Sequence, residues 1–408
     1  MNARYSVIVR SISYLLATAA LAACTAVPGP VTTGPPASVT STSGAVTTNA
    51  DRALLGALPG YIVTYDTEPT VYSPAGVALF ELAGAIPGAQ PTFSPEGSLV
   101  WTASDGLAQF IRIRRADATI LDLPPPVIPF YYYWSPDGSS LAFLGNGLSG
   151  QVDLTITNRV GAIILNDRGT TYFFDWAPDG TAIVSHVSGD TLRISPLDAD
   201  PIDVPASPNF GSPQWSPDGI TWLANVGSLS ASASASAVQA TLLVGDPTGD
   251  PTEITRVDGS ASFASVGGRV AVLDGLPVGS LRVIDGETVT EVGQNVGAYQ
   301  WSPDGSALAV LQFFPQEELA RWLVWTGDDT LAFDRFVPTP QFMNTYLPFW
   351  DQYMRSQTIW SPDSTAFVYS AATTNGFEIL VQPIGADRQA IAMAAGGFAS
   401  WGPVSFAP

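Results

Sequence analysis

Apolar positions along most of this chain come in short runs of four to six residues, often alternating with polar ones, and turn residues separate them. Around Trp134 the first run ends at the indole, and Ser135-Pro136-Asp137-Gly138 makes a turn. Leu141-Ala142-Phe143-Leu144 follows, then the alternating stretch from Val152 to Thr157, then Ala162-Ile163-Ile164-Leu165. Period-two runs between turn signals predict strands, here a four-stranded antiparallel meander. The turn has a mechanism: Pro presets φ, Asp tolerates the next position, and Gly accepts the left-handed region.

The unit recurs. Trp-Ser-Pro-Asp-Gly stands at 134–138, 215–219 and 301–305, with near copies at 93–97, 176–180 and 360–364. A degraded copy, Phe263 to Gly268, fills the one large gap, and Trp401-Gly402-Pro403 opens a truncated unit near the C-terminal end. The intervals run from 38 to 59 residues with a mean of 44. Strand-type units at a period of about 40–50 residues predict a β-propeller. The first strands number eight, so the expected fold is all-β with eight four-stranded blades. Seven remain if the 263–268 unit is an insertion. The final unit lacks room for its remaining strands, and the runs Tyr61–Tyr65, Thr70–Ser73 and Val77–Leu82 are spare. Pairing N- and C-terminal strands in one blade would close the ring and remove exposed edges. The repeated residues Trp134, Asp137, Trp176, Asp179, Trp215, Asp218, Trp301, Asp304, Trp360 and Asp363 are read as structural, since a fold determinant recurs in every unit.

The pattern resembles the TolB-type propeller repeat, related in architecture to WD-repeat proteins, over about residues 60–408. It departs at 263–268, where Pro and Asp are lost. TolB also carries an α/β domain ahead of its propeller, whereas a short tether stands here, so the resemblance does not extend to a Tol–Pal role.

Residues 1–23 combine Arg4 and Arg10 with an apolar run from Ser11 to Ala23. Thirteen such residues are too few for a spanning helix, which needs about 20, and they suit a signal-peptide core. Leu21-Ala22-Ala23-Cys24 resembles the bacterial lipoprotein box, which implies acylation of Cys24 and cleavage before it. The expected organisation is a signal peptide over 1–23, an acylated Cys and Thr/Pro/Ser-rich tether over 24–52, and a propeller over 53–408. The location that follows is a bacterial cell membrane, lipid-anchored and facing the periplasm or the exterior.

Of 408 residues, 36 are acidic and 16 basic, all 16 being Arg, for a net charge of −20. Such a chain repels phosphate, so nucleic acid is not an expected partner. One Cys and one His leave no disulfide framework and no multi-His metal centre. No cofactor or metal is expected, and the catalytic set is empty. There is no Gly-x-Ser-x-Gly elbow, phosphate loop or dinucleotide fingerprint, and no α/β pattern follows the propeller, as it does in prolyl oligopeptidase relatives. His186, after the strand Ala182-Ile183-Val184, reads as an exposed or edge residue.

Two insertions lengthen the intervals, Ser228–Ala237 and Phe336–Gln357. The meander topology puts both on the face opposite the Asp–Gly turns. The second holds Phe336, Phe342, Tyr346, Phe349, Trp350 and Tyr353, with Asp334, Arg335, Asp351 and Arg355 nearby. The link before Trp134 carries Tyr131 and Tyr133, and the next carries Asp175. Rings with a few charges on a concave face suit a sugar, peptide or protein anchor; the alternative is that the rings plug the channel. The ligand-binding candidates are Tyr131, Tyr133, Asp175, Tyr346, Trp350, Asp351 and Arg355. The expected function is a non-enzymatic scaffold, monomeric and tethered to the membrane, binding an envelope protein, peptide or glycan. The alternative is a carbohydrate-active enzyme using Asp175, Asp334 or Asp351 at the channel mouth.

Overall fold

The computed structural model describes residues 48–406 apart from 67, 189–190, 206–211, 228–239, 246–251, 258, 276 and 386–387. Cys24 and the Ser228–Ala237 insertion therefore lie outside the described residues. The strands form antiparallel meanders in chain order. Pro129–Trp134, Ser140–Asn146, Val152–Asn158 and Ile163–Gly169 make one sheet. Sheets of the same order run from Thr92–Phe93 to Ile120–Leu123, from Tyr172–Trp176 to Ile202–Pro205, and from Gln214–Trp215 to Thr252–Val257.

From Gly259–Phe263 to Ile391–Ala395 the ladder is continuous over ten strands. Two shared strands explain this. Thr288–Trp301 pairs along its first half with Gly279–Asp285 and along its second half with Leu308–Phe314, and Asn295 between them has φ 56°. Thr330–Pro338 ends by pairing Val337 and Pro338 with Ala372 and Ala371. The first strand at Trp360 shrinks to a single bridge with Phe367.

Ala78–Glu81, Thr70–Tyr72 and Tyr61–Thr64 form a sheet with Ala399–Gly402, in the register Tyr61↔Gly402 to Thr64↔Ala399. The N- and C-terminal strands are thus joined, as the spare runs predicted. The result is an all-β, propeller-like structure.

The repeated turn is a local hydrogen-bond device. In Ser135–Ser140, the Ser135 Oγ donates to Asp137 Oδ1 at 2.6 Å and accepts from Ser140 N–H, while Asp137 Oδ1 also accepts from Ser139 N–H at 3.0 Å. The same bonds recur at Ser216/Asp218, Ser302/Asp304 and Ser361/Asp363, with left-handed residues at Gly138, Gly219, Gly305 and Ser364. Asp179 bonds Thr181 in the same way.

The repeated indoles work between sheets. Trp134, Trp176, Trp301 and Trp360 are buried, and each Nε1–H donates to the carbonyl of the residue before the matching aromatic of the preceding repeat. The acceptors are Thr92, Tyr133, Ser262 and Gln300, at 3.0 to 3.4 Å. Each ring therefore buries a large flat surface and satisfies its polar atom in one act.

The degraded turn keeps its shape by other means. Ala264 N–H donates to Arg269 O at 2.7 Å, and Gly267 and Gly268 take φ of 91° and 71°. With the Asp lost, Arg269 reaches across to Gly305 O and lies 5.1 Å over the Trp301 ring.

Two expectations need correction. His186 is neither exposed nor at an edge: it is buried inside Ala182–Val187, flanked by strands on both sides. Phe336 does not belong to the insertion but to Thr330–Pro338, where it packs 4.7 Å from Tyr369.

Candidate functional site

The insertion after Pro338 folds into a π-helical turn Phe342–Tyr346, a 3-10 turn Leu347–Phe349 and the helix Trp350–Ser356. Its apolar side chains have nowhere to go but inward. Phe342, Tyr346, Trp350, Tyr353 and Met354 are all buried. Trp350 packs edge-on against Tyr299 at 4.6 Å, Tyr353 stacks on Tyr131 at 5.3 Å, and Tyr346 lies 4.5 Å from Phe398. These rings pack as a plug against the first strands of several sheets, with Tyr131, Tyr346 and Trp350 buried.

Polar groups fasten this plug. Gln352 Oε1 accepts from Phe174 N–H at 2.9 Å while its Nε2–H donates to Phe174 O at 2.9 Å and to Tyr131 Oη at 2.9 Å. One amide thus pairs with both backbone groups of a strand residue, as a neighbouring strand would. Tyr131 Oη–H donates back to Gln352 O, and Gln300 Nε2–H donates to Met354 O. Thr339 Oγ1–H donates to Gly397 O and Gln341 Nε2–H to Tyr65 O at the other end of the insertion.

The charged centre holds four of the candidates together. Arg355 Nη1 lies 2.8 Å from Asp175 Oδ2, with both side chains almost fully buried. Asp175 also accepts from Tyr133 Oη–H at 2.8 Å and from Trp215 N–H at 3.0 Å. Asp351 accepts from Ser212 N–H at 2.9 Å and from Gln352 N–H at 3.0 Å. Arg355 Nε–H reaches Asp351 O at 3.2 Å, while its Nη2, also buried, has no hydrogen-bond partner among the described residues. Burial pushes both carboxyls above their ordinary value. For Asp175 the Arg355 guanidinium and the donated hydrogen bonds offset part of that; for Asp351 the Ser212 N–H and then Arg355 do the same.

The seven ligand-binding candidates therefore converge, but each is engaged by protein. Asp334, the third acid considered for catalysis, lies apart from them, exposed on the outermost strand of its meander. No group of three metal-type ligands occurs among the described residues, and none of their helices is long and apolar enough to cross a membrane.

Sequence reasoning missed Gln352, Gln300 and Ser212. A signal existed for one device. Asp175, Gln214 and Gln300 each immediately precede a repeat aromatic, and each accepts from a backbone N–H of the next first strand, at Trp215, Phe263 and Ile359 respectively. Aligning the copies one residue further back shows Asp175 in that structural slot.

No family model matches the chain, and no curated protein matches it in sequence. Among solved structures it is similar to one of two prolyl endopeptidases, at 13% identity and TM-score 0.52, covering 76% of this chain and 50% of that one. It is also similar to a eukaryotic initiation factor, at 10% identity and TM-score 0.51, covering 86% and 99%. The propeller domain of the Trilobed protease from Pyrococcus furiosus matches at 13% identity and TM-score 0.48, covering 74% and 97%. The chain spans half the length of the prolyl endopeptidase chain. At such identities the first two likenesses show the fold alone, a β-propeller.

Proposed function

We propose that this chain is a lipid-anchored, extracytoplasmic, TolB-like propeller of eight four-stranded blades that binds an envelope protein, peptide or glycan without catalysing a reaction. For the blade count, the support is that the 263–268 unit pairs as its neighbours do, from Gly259–Phe263 through Val270–Asp274 and Gly279–Asp285 to the first half of Thr288–Trp301. For the anchor, it is the Leu21-Ala22-Ala23-Cys24 box.

The observation that carries the binding reading is the state of the acids. A glycosidase needs two carboxyl groups flanking an open substrate site, about 5–9 Å apart. Asp175 and Asp351 instead spend their oxygens on Arg355, Tyr133 and backbone N–H groups beneath a packed insertion. Binding then falls to the exposed loops. On the insertion's face, the second-to-third-strand loops of adjacent sheets carry Leu107 and Leu148, which are 97% and 81% exposed.

The test is capture from envelope extract and a glycan array by the mature chain, with product analysis of every glycan retained. A retained partner, unchanged chemically and held about tenfold or more weakly by a Leu107→Asp/Leu148→Asp variant, supports the reading. Glycan turnover abolished by Asp175→Asn or Asp351→Asn would replace it with the enzyme.

A further inference from the structure

The path by which the chain enters the ring has a consequence for how the disc sits on a membrane. Three observations place that entry on the Asp–Gly-turn face. Tyr61 pairs with Gly402, at the end of Ala399–Gly402 that leads into the turn at Pro403. Trp401 Nε1–H donates to Pro59 O at 2.9 Å, and a Cβ at Gly60 would lie 3.0 Å from Cγ of Pro362, the proline of the neighbouring turn. The helix Asn49–Gly56, with Leu55 buried, ends with Gly56 against Ala75 in the turn between Thr70–Tyr72 and Ala78–Glu81.

We propose that the propeller is carried with its Asp–Gly-turn face toward the lipid surface, so that the opposite face, with the plug and the Leu107 and Leu148 loops, is presented to the partner. The proposal rests on the lipid-anchor reading of Cys24. Twenty-three residues, 25–47, stand between Cys24 and the first described residue, a contour of at most about 80 Å. Glu96, Asp137, Asp179, Asp218, Asp304 and Asp363 line the proximal face and are exposed. Against anionic headgroups they repel within about one Debye length, roughly 8 Å, so the orientation is carried by the point of chain entry and not by charge.

The experiment uses residues 24–408 coupled through Cys24, the only thiol of the chain, to a maleimide lipid in phosphatidylcholine vesicles, with and without anionic lipid. A donor dye is placed through a non-natural residue either at Ile220, in the turn after Gly219, or at Leu107, both exposed. Energy transfer to a headgroup acceptor is expected to be higher from 220, in a turn of the entry face, than from 107 on the opposite face. Anionic lipid should lower both and keep their order. Equal transfer, or more from 107, overturns the orientation. Acylation is read separately, as palmitate incorporation by the full chain that is lost in Cys24→Ser. If palmitate is not incorporated the proposal falls with the anchor, whereas a reversed transfer order removes the orientation and leaves the anchor standing.

Discussion

The two faces of the disc are built on opposite principles. The Asp–Gly-turn face is a set of near-identical local devices, in which bonds connect residues two to five apart and the acids stay in water. The other face is held by one irregular segment whose bonds to other elements reach residues as far as 276 positions away, with its charges buried. Redundancy makes the first tolerant, since losing one turn leaves the others intact. Concentration makes the second brittle, because Gln352 and Asp175 each join several sheets and Arg355 is the cation paired with Asp175.

Substitutions sharpen that contrast, and the largest effect is expected at Arg355. Arg355→Met leaves the Asp175 carboxylate buried without its cation and should cost about 3–5 kcal/mol in chemical denaturation. Arg355→Met with Asp175→Asn should recover most of it, and a double variant no more stable than the single one would mean that the pair is not coupled. Gln352→Ala strips Phe174 and Tyr131 of buried partners and should cost about 2 kcal/mol by the same measurement. On the turn face, Asp304→Ala removes bonds from Ser302 and Ser306 at an expected cost of about 1 kcal/mol. If it matched the Arg355 variant, the contrast between the faces would fail.

The smallest effect is in pH dependence, where the two faces should differ in sign. Burial alone would raise the Asp304 carboxyl, but the hydrogen bonds from Ser302, Ser306 and Ser364 outweigh it and bring it from 3.8 down to about 2. A lowered folded value means that its contribution is fully present above pH 3.8 and is lost as pH falls toward 2. Asp175 and Asp351 are raised, so their contribution instead declines as pH rises from 3.8 through their folded values. Urea midpoints measured across that range should flatten on the acid side in Asp304→Asn. An unchanged acid limb would show that the turn bonds do not hold the carboxylate ionised.

Much of this architecture was legible before any coordinates, because a repeat states the same local rule many times. The Trp134 and Asp137 positions and their copies announce turn and stacking surface together, and Tyr61–Thr64 could be matched to Ala399–Gly402 by elimination. His186 was misjudged because its flanking strand residues say nothing about how deeply the sheet stacks. Asp175 illustrates the harder problem. As an acid beside aromatics it reads as chemistry, yet it occupies the slot filled by Gln214 and Gln300.

By itself the sequence determined the meander, the turn and the pairing of the terminal strands, since the first two depend on residues a few positions apart and the third on a period that leaves the last unit short of strands. Only the tertiary structure decided that the aromatic insertion is swallowed rather than displayed. That outcome depends on donors and acceptors from distant strands meeting Arg355 and Gln352 in one dry place, where burial makes every unpaired charge costly.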